Sequence, residues 1–212
     1  MKKLLNPKVA IGVLTVLYIV GTVGFISHTD PDFPKLTPLN LVISLVIVLC
    51  FHVEWGLIFA FWCFFTLIIG FFIEVIGVSS GQIFGSYQYG ETLGFKVWNT
   101  PLSIGVNWLL TAYCSAVLVS HAAHKSWHWI LKSVLAALLM VSLDVLIEPI
   151  AVKTGMWTWE NGEIPLQNYV GWFLTALPLQ LLFFRFIKSV ENKVAIVLLF
   201  LQFTFFFILN QF

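Results

Sequence analysis

The chain has 212 residues, of which 59% are hydrophobic and only 10% are charged, with a net charge of +1 and a mean hydropathy of +0.95. Soluble domains carry about 25% charged residues, so this composition describes an integral membrane protein. The near-zero net charge offers no surface for nucleic acid or an acidic partner. Cys50, Cys63 and Cys114 all fall within apolar runs without metal-type spacing, and read as buried small residues.

A basic start (Lys2, Lys3, Lys8) precedes an apolar run from Val9 to Ile26. That run matches a membrane span and exceeds a usual signal core, so a retained first helix is expected. A polar loop with Pro31, Pro34 and Pro38 follows. Residues 39–78 are then almost continuously apolar. As one helix they would reach about 60 Å, twice the hydrocarbon thickness. The chain must fold back, and His52–Gly56 is the one polar interruption. Spans two and three are therefore expected at Leu39–His52 and Gly56–Val78. The remaining spans read as Pro101–Ala122, Trp129–Ile150, about Asn168–Phe186, and Val194–Leu209. The fold class is an all-α polytopic membrane helix bundle of about seven transmembrane helices.

Basic residues orient the bundle. Lys2, Lys3, Lys8, Lys125, Lys132, Arg185, Lys188 and Lys193 collect on one side, against Lys35, Lys96 and Lys153 on the other. The bias places the N-terminus in the cytoplasm and both interrupted loops, 79–100 and 151–168, outside.

Two stretches carry the polar chemistry. DVLIEPIAVKTGMWTWENGEIPLQNYVGW (144–172) sets Asp144 and Glu148 in an apolar run, then a turn, Trp157-x-Trp159, Pro165, Asn168, Tyr169 and Trp172. An earlier stretch repeats the order: Glu74 in an apolar run, Gly85-x-Tyr87-x-Tyr89, and Pro101 followed seven positions on by Trp108, with Asn107 beside it. This reads as an internal parallel repeat, about 56–122 and 129–187, within a single membrane domain. A twofold along the membrane normal would bring Glu74 and Glu148 toward a shared site. Rising about 1.5 Å per residue, Glu74 lies roughly 27 Å from Gly56 and Glu148 roughly 28 Å from Trp129, both near the outer end. Asp144 shares a face with Glu148 one turn deeper. Its counterpart in the first repeat is Gly70, so the duplication is asymmetric there.

Carboxylates in hydrocarbon are costly and seldom accidental. They could serve structure, by joining helices through Tyr, Trp or Asn. With no Lys or Arg beside them, burial and mutual repulsion instead favour a protonated acid near an ionised one, the arrangement for acid–base work. Tyr87, Tyr89, Trp98, Trp108, Trp157, Trp159, Tyr169 and Trp172 could form an interfacial belt, or could line a site where their faces stabilise a carbocation. His121, His124 and His128 in SHAAHKSWHW have helical spacing, but one such cluster is better read as a solvated helix end than as a metal site. His28 and His52 stand alone. The last span holds no lysine for a retinal Schiff base, and phosphate loops, a serine elbow and Asp-rich diphosphate motifs are missing. A transporter remains open.

The order Glu74-x-x-Gly77, Gly85-x-Tyr87-x-Tyr89, Asp144-x-x-x-Glu148-Pro149, Gly155-x-Trp157-x-Trp159 and Asn168-Tyr169-x-Gly171-Trp172 resembles the membrane carotenoid-biosynthesis family of the CruF type, over about residues 40–190. The resemblance implies a carotenoid 1,2-hydratase that adds water across the terminal double bond of an acyclic end group without a redox cofactor or metal. It implies Glu74, Asp144 and Glu148 as catalytic residues. Tyr87, Tyr89, Asn107, Trp108, Trp157, Trp159, Asn168, Tyr169 and Trp172 would bind substrate. The expected partners are a carotenoid, the lipid bilayer and other carotenoid enzymes; the expected location is the cell inner membrane. Related lycopene cyclases also begin by protonating a polyene, so a cyclase or isomerase is the neighbouring reading. A pigment-binding or transport protein is the reading without chemistry.

Overall fold

The computed structural model describes residues 6–27, 30–187 and 190–212. Lys2, Lys3, His28 and Lys188, used above, lie outside the described residues. Among those described are seven α-helices: α1 (Pro7–Ser27), α2 (Thr37–Cys50), α3 (Leu57–Ser80), α4 (Leu102–Ala122), α5 (Trp129–Lys153), α6 (Leu166–Phe186) and α7 (Lys193–Leu209). Six segments are long and apolar enough to cross a membrane, and α7 is an apolar helix of 17 residues. The seven expected segments are therefore all helical, with ends shifted by up to three residues.

Local chemistry sets those ends. The long apolar run breaks where Gly56 takes an extended conformation before α3. Gly81 closes α3 in the left-handed region, its N–H donated to the Gly77 carbonyl; a side chain there would be strained. Pro101 and Pro165 stand immediately before α4 and α6, where a missing N–H costs nothing. Pro149 lies inside α5, directly after Glu148, and cannot bond the carbonyl four residues back.

Helix α4 is the axis of the bundle. Trp108, Leu110, Ala112, Tyr113, Cys114, Ala116 and Val117 on it are fully buried. It packs on α2, α3, α5 and α7, while α5 packs closely on α6 and α1 on α7. The outward faces are apolar, with Val9, Val16, Phe61, Phe64 and Phe200 exposed, as lipid contact requires. His52, isolated in sequence, joins a buried network. One ring nitrogen meets the Tyr113 hydroxyl at 2.8 Å, Asn192 donates to that hydroxyl and to the Val48 carbonyl, and Phe59 stacks on the ring. Burial holds the imidazole below the usual histidine range, so it serves as a neutral strut between α2, α4 and the start of α7.

One element goes beyond the all-helical expectation. Strand β1 (Tyr87–Tyr89) pairs antiparallel with a second strand (Trp157–Trp159), while Lys96–Val97 and Thr100–Pro101 form a small hairpin; in chain order these are β1, β4, β2 and β3. The register is Tyr87↔Trp159, Gln88↔Thr158, Tyr89↔Trp157. Alternation along a strand sends successive side chains to opposite faces. Gln88 and Thr158 are exposed, and all four aromatic rings turn inward over the ends of α3 and α5. The ribbon thus caps the end of the bundle where the carboxylates lie.

Candidate active site

Glu74, Asp144 and Glu148 are each no more than 3% exposed. They line one small cavity with Asn107, Asn168 and the ribbon aromatics. The expectation that the three acids converge is met by this geometry. Glu74 has three donors. Its Oε2 accepts hydrogen bonds from the Tyr87 hydroxyl at 2.5 Å and the Tyr89 hydroxyl at 2.8 Å, and its Oε1 accepts from Trp108 Nε1 at 2.9 Å. Burial and the neighbouring Glu74 carboxylate push both phenols well above the ordinary tyrosine range. They therefore remain protonated donors.

Glu148 has an equivalent set. Oε2 accepts from Trp157 Nε1 at 3.0 Å and Trp159 Nε1 at 2.9 Å, and Oε1 accepts from Asn168 Nδ2 at 2.9 Å. The same Asn168 amide donates to Asp144 Oδ2 at 2.8 Å. Among the described residues nothing donates to Asp144 Oδ1. The two glutamates are thus held as acceptors by three donors each, and indole N–H groups can only donate. Asp144 has one donor and one open oxygen.

The aromatic residues divide. Tyr87, Tyr89, Trp157 and Trp159 line the cavity with Trp172, whose indole stacks on that of Trp108 at 4.1 Å between ring centroids. Tyr169 is adjacent to Asn168 but lines neither this cavity nor the one described next. Trp98 is 64% exposed and lies away from the site. His121 ends α4, His124 meets Ser126, and His128 caps α5 by accepting from the Ile130 N–H. Among the described residues, no group of three His, Cys, Asp or Glu side chains is placed to hold a metal ion.

A second, larger cavity of about 230 Å³ lies between α1, α2 and α7 and the inner helices. Its wall is apolar: Leu17, Phe25, Phe33, Ile43, Phe205 and Phe206 are among the lining residues. At its rim Val20, Leu36 and Leu39 are more than half exposed, so it is a cleft open to the lipid-facing surface. The carboxylate cavity is only about 30 Å³, room for two or three waters at roughly 10–15 Å³ each. Ile104, Asn107, Ile147 and Trp157 line both. No sequence signal marks this cleft, because its walls are apolar positions on helices apolar all round. Of the cleft's lining residues, Asn107, one position before the repeated tryptophan, and Trp157 are among the expected substrate-binding residues.

The fold and site define a membrane helix bundle with a buried acid cluster at the foot of a lipid-open cleft. Residues 36–212 match the family described as carotenoid biosynthesis protein, and the chain belongs to that family. A bisanhydrobacterioruberin hydratase from Haloarcula japonica is 33% identical over 118 residues, covering 52% of this chain and 40% of that protein. The matched segment thus spans about two fifths of the relative's length. No solved structure matches the chain.

Proposed function

We propose that the protein is a hydratase of carotenoid biosynthesis, adding water across the terminal double bond of an acyclic end group. The observation that carries this reading is the shared wall. An apolar cleft open to lipid and a water-sized cavity with three acids meet at Ile104, Asn107, Ile147 and Trp157. A carotenoid is about as apolar as the lipid core, and can enter the cleft from the bilayer. The family, and the hydratase named among its relatives, point the same way.

The chemistry needs an acid, a water and a base. The donor inventory favours Asp144 as the acid, since its Oδ1 is open to carry and deliver a proton. Asp144 gives its proton to the less substituted carbon of the terminal double bond: a C–H bond forms, the π bond breaks, and a tertiary cation remains on the carbon that bears the two methyl groups. Tyr and Trp faces beside the cavity stabilise it. Water adds its oxygen to the cation, and its proton passes to Glu148. Asn168 holds Glu148 and Asp144 side by side, and a cavity water can return the proton to Asp144 for the next cycle. The net change is one added water, with no oxidant or reductant required.

The test is expression in a lycopene-producing bacterium, with pigments resolved by mass. A gain of one water per end group supports the hydratase. Unchanged mass with a shifted absorption spectrum identifies a cyclase or isomerase, and unchanged pigment leaves binding or transport. The basic-residue bias further supports a cell inner membrane location with the N-terminus in the cytoplasm.

A further inference from the structure

Asn107 is not used by the acid–base cycle as described, and the fold makes no evident use of its side chain. Among the described residues its amide has no hydrogen-bond partner. Its backbone carbonyl alone is engaged, by the Thr111 hydroxyl at 2.8 Å. The contrast with Asn168 is sharp, since that amide is fully committed to Asp144 and Glu148. Asn107 is half-buried. It is the one amide among the residues that line both cavities, beside Ile104, Ile147 and Trp157.

We propose that Asn107 holds the attacking water at that boundary, and so decides whether the cation is hydrated or reverts to an alkene. The inference rests on the hydratase reading and goes further, by naming the residue that sets the outcome. The cation formed on protonation has two exits. In one, a water oxygen forms the C–O bond and releases its proton to a carboxylate. In the other, a neighbouring carbon returns a proton to Asp144 and the π bond re-forms, leaving the mass unchanged. Both exits are redox-neutral and use the same acid. They differ in whether a water stands against the cation at that moment. A carboxamide both donates and accepts, so it can fix a water's position and aim its lone pair. The acids are less suited to this: a carboxylate only accepts, Glu74 and Glu148 already hold three donors each, and Asp144 is occupied with the alkene proton.

The test uses membranes containing the full chain, supplied with lycopene in D2O. Deuterium in recovered, mass-unhydrated carotenoid reports protonation, and added water reports capture. In Asn107→Leu and the smaller Asn107→Val, the ratio of hydrated to deuterated-unhydrated product should fall about 10²-fold, the scale of misplacing one reactant. Asn107→Gln should restore part of it. Total deuterium uptake should change far less. A wild-type ratio in either apolar variant overturns the proposal. So does an equal fall in hydration and deuterium uptake in both, which would mean a purely structural role. If the native protein neither hydrates lycopene nor exchanges deuterium into it, the hydratase reading fails first, and that result is separate from any behaviour of Asn107.

Discussion

Glu74 and Glu148 hold equivalent places, but their donors differ in kind, and this predicts unequal responses to the same substitution. Replacing either with glutamine keeps the shape and exchanges one carboxylate oxygen for NH2. At Glu74 the exchange is tolerable. The glutamine oxygen can face Trp108, and its NH2 can face Tyr87 and Tyr89, whose hydroxyls rotate and accept. At Glu148 the donors are two indoles and an amide. Facing the NH2 toward the indoles strands both of them. Facing it toward Asn168 demands that this amide flip, which withdraws the donor from Asp144. At least one buried donor or acceptor is left unpaired while Asp144 is a carboxylate, at about 1–3 kcal/mol. The charge lost is the same in both variants and cancels in the comparison. Glu148→Gln should therefore melt lower than Glu74→Gln by about 2–12 °C, taking 2–4 °C per kcal/mol for a chain of this size. Thermal unfolding of the two purified variants in one detergent measures the gap. Equal melting points, or a lower one for Glu74→Gln, would refute the argument from donor type.

Asp144→Asn keeps an acceptor for Asn168 but has no transferable proton. Hydration should fall about 10²–10⁴-fold with normal membrane insertion, and near-normal turnover would remove Asp144 from the chemistry. Ile147→Phe enlarges a residue on the shared wall, so turnover per folded protein should drop more than melting temperature. Overpacking alone costs about 1–3 kcal/mol, and an unchanged rate would mean that substrate does not cross that wall. The charge bias predicts that a reporter fused at Phe212 is inactive in the cytoplasm; cytoplasmic activity would invert the proposed orientation.

The helices were legible because two signals agree. Apolar runs of membrane length are cut by Pro101, Pro165 and the His52–Gly56 break, and these are the points where the chain turns. The acids were legible because carboxylates in hydrocarbon are conspicuous. Less was visible in the ribbon. Tyr-Gln-Tyr and Trp-Thr-Trp are too short to mark strands, and each finds its partner about 70 positions away. The cleft was hidden for a different reason. In α1, α2 and α7 nearly every position is apolar, so lipid-facing and cavity-facing residues look alike. Phe205 and Phe206 line the cleft while Phe207, their neighbour, is 59% exposed. The division of roles among the acids was also unreadable, since it rests on which donors reach which oxygen.

We propose that residues 56–122 and 129–187 are duplicated halves, and the site shows why such a duplication had to become unequal. The ribbon register is what a twofold would give if it exchanged Tyr87 with Trp157 and Tyr89 with Trp159. Each strand's aromatic pair bonds the glutamate of its own half. Trp108 and Trp172 stack face to face between the halves. The departure comes at the deeper turn. Where one half has Asp144, the other has Gly70, and a side chain at Gly70 would run into the Trp108 ring. Trp108 comes close enough to bond Glu74 because Gly70 leaves it room; in the other half Asn168 bonds Glu148 and keeps Asp144 beside it. A third carboxyl and a tryptophan pressed onto the glutamate cannot share one half. A site with two identical halves would offer two equivalent acids and no preferred direction for the proton. Filling one half with indole and the other with Asp144 leaves one open carboxyl oxygen, in the cavity that shares a wall with the cleft.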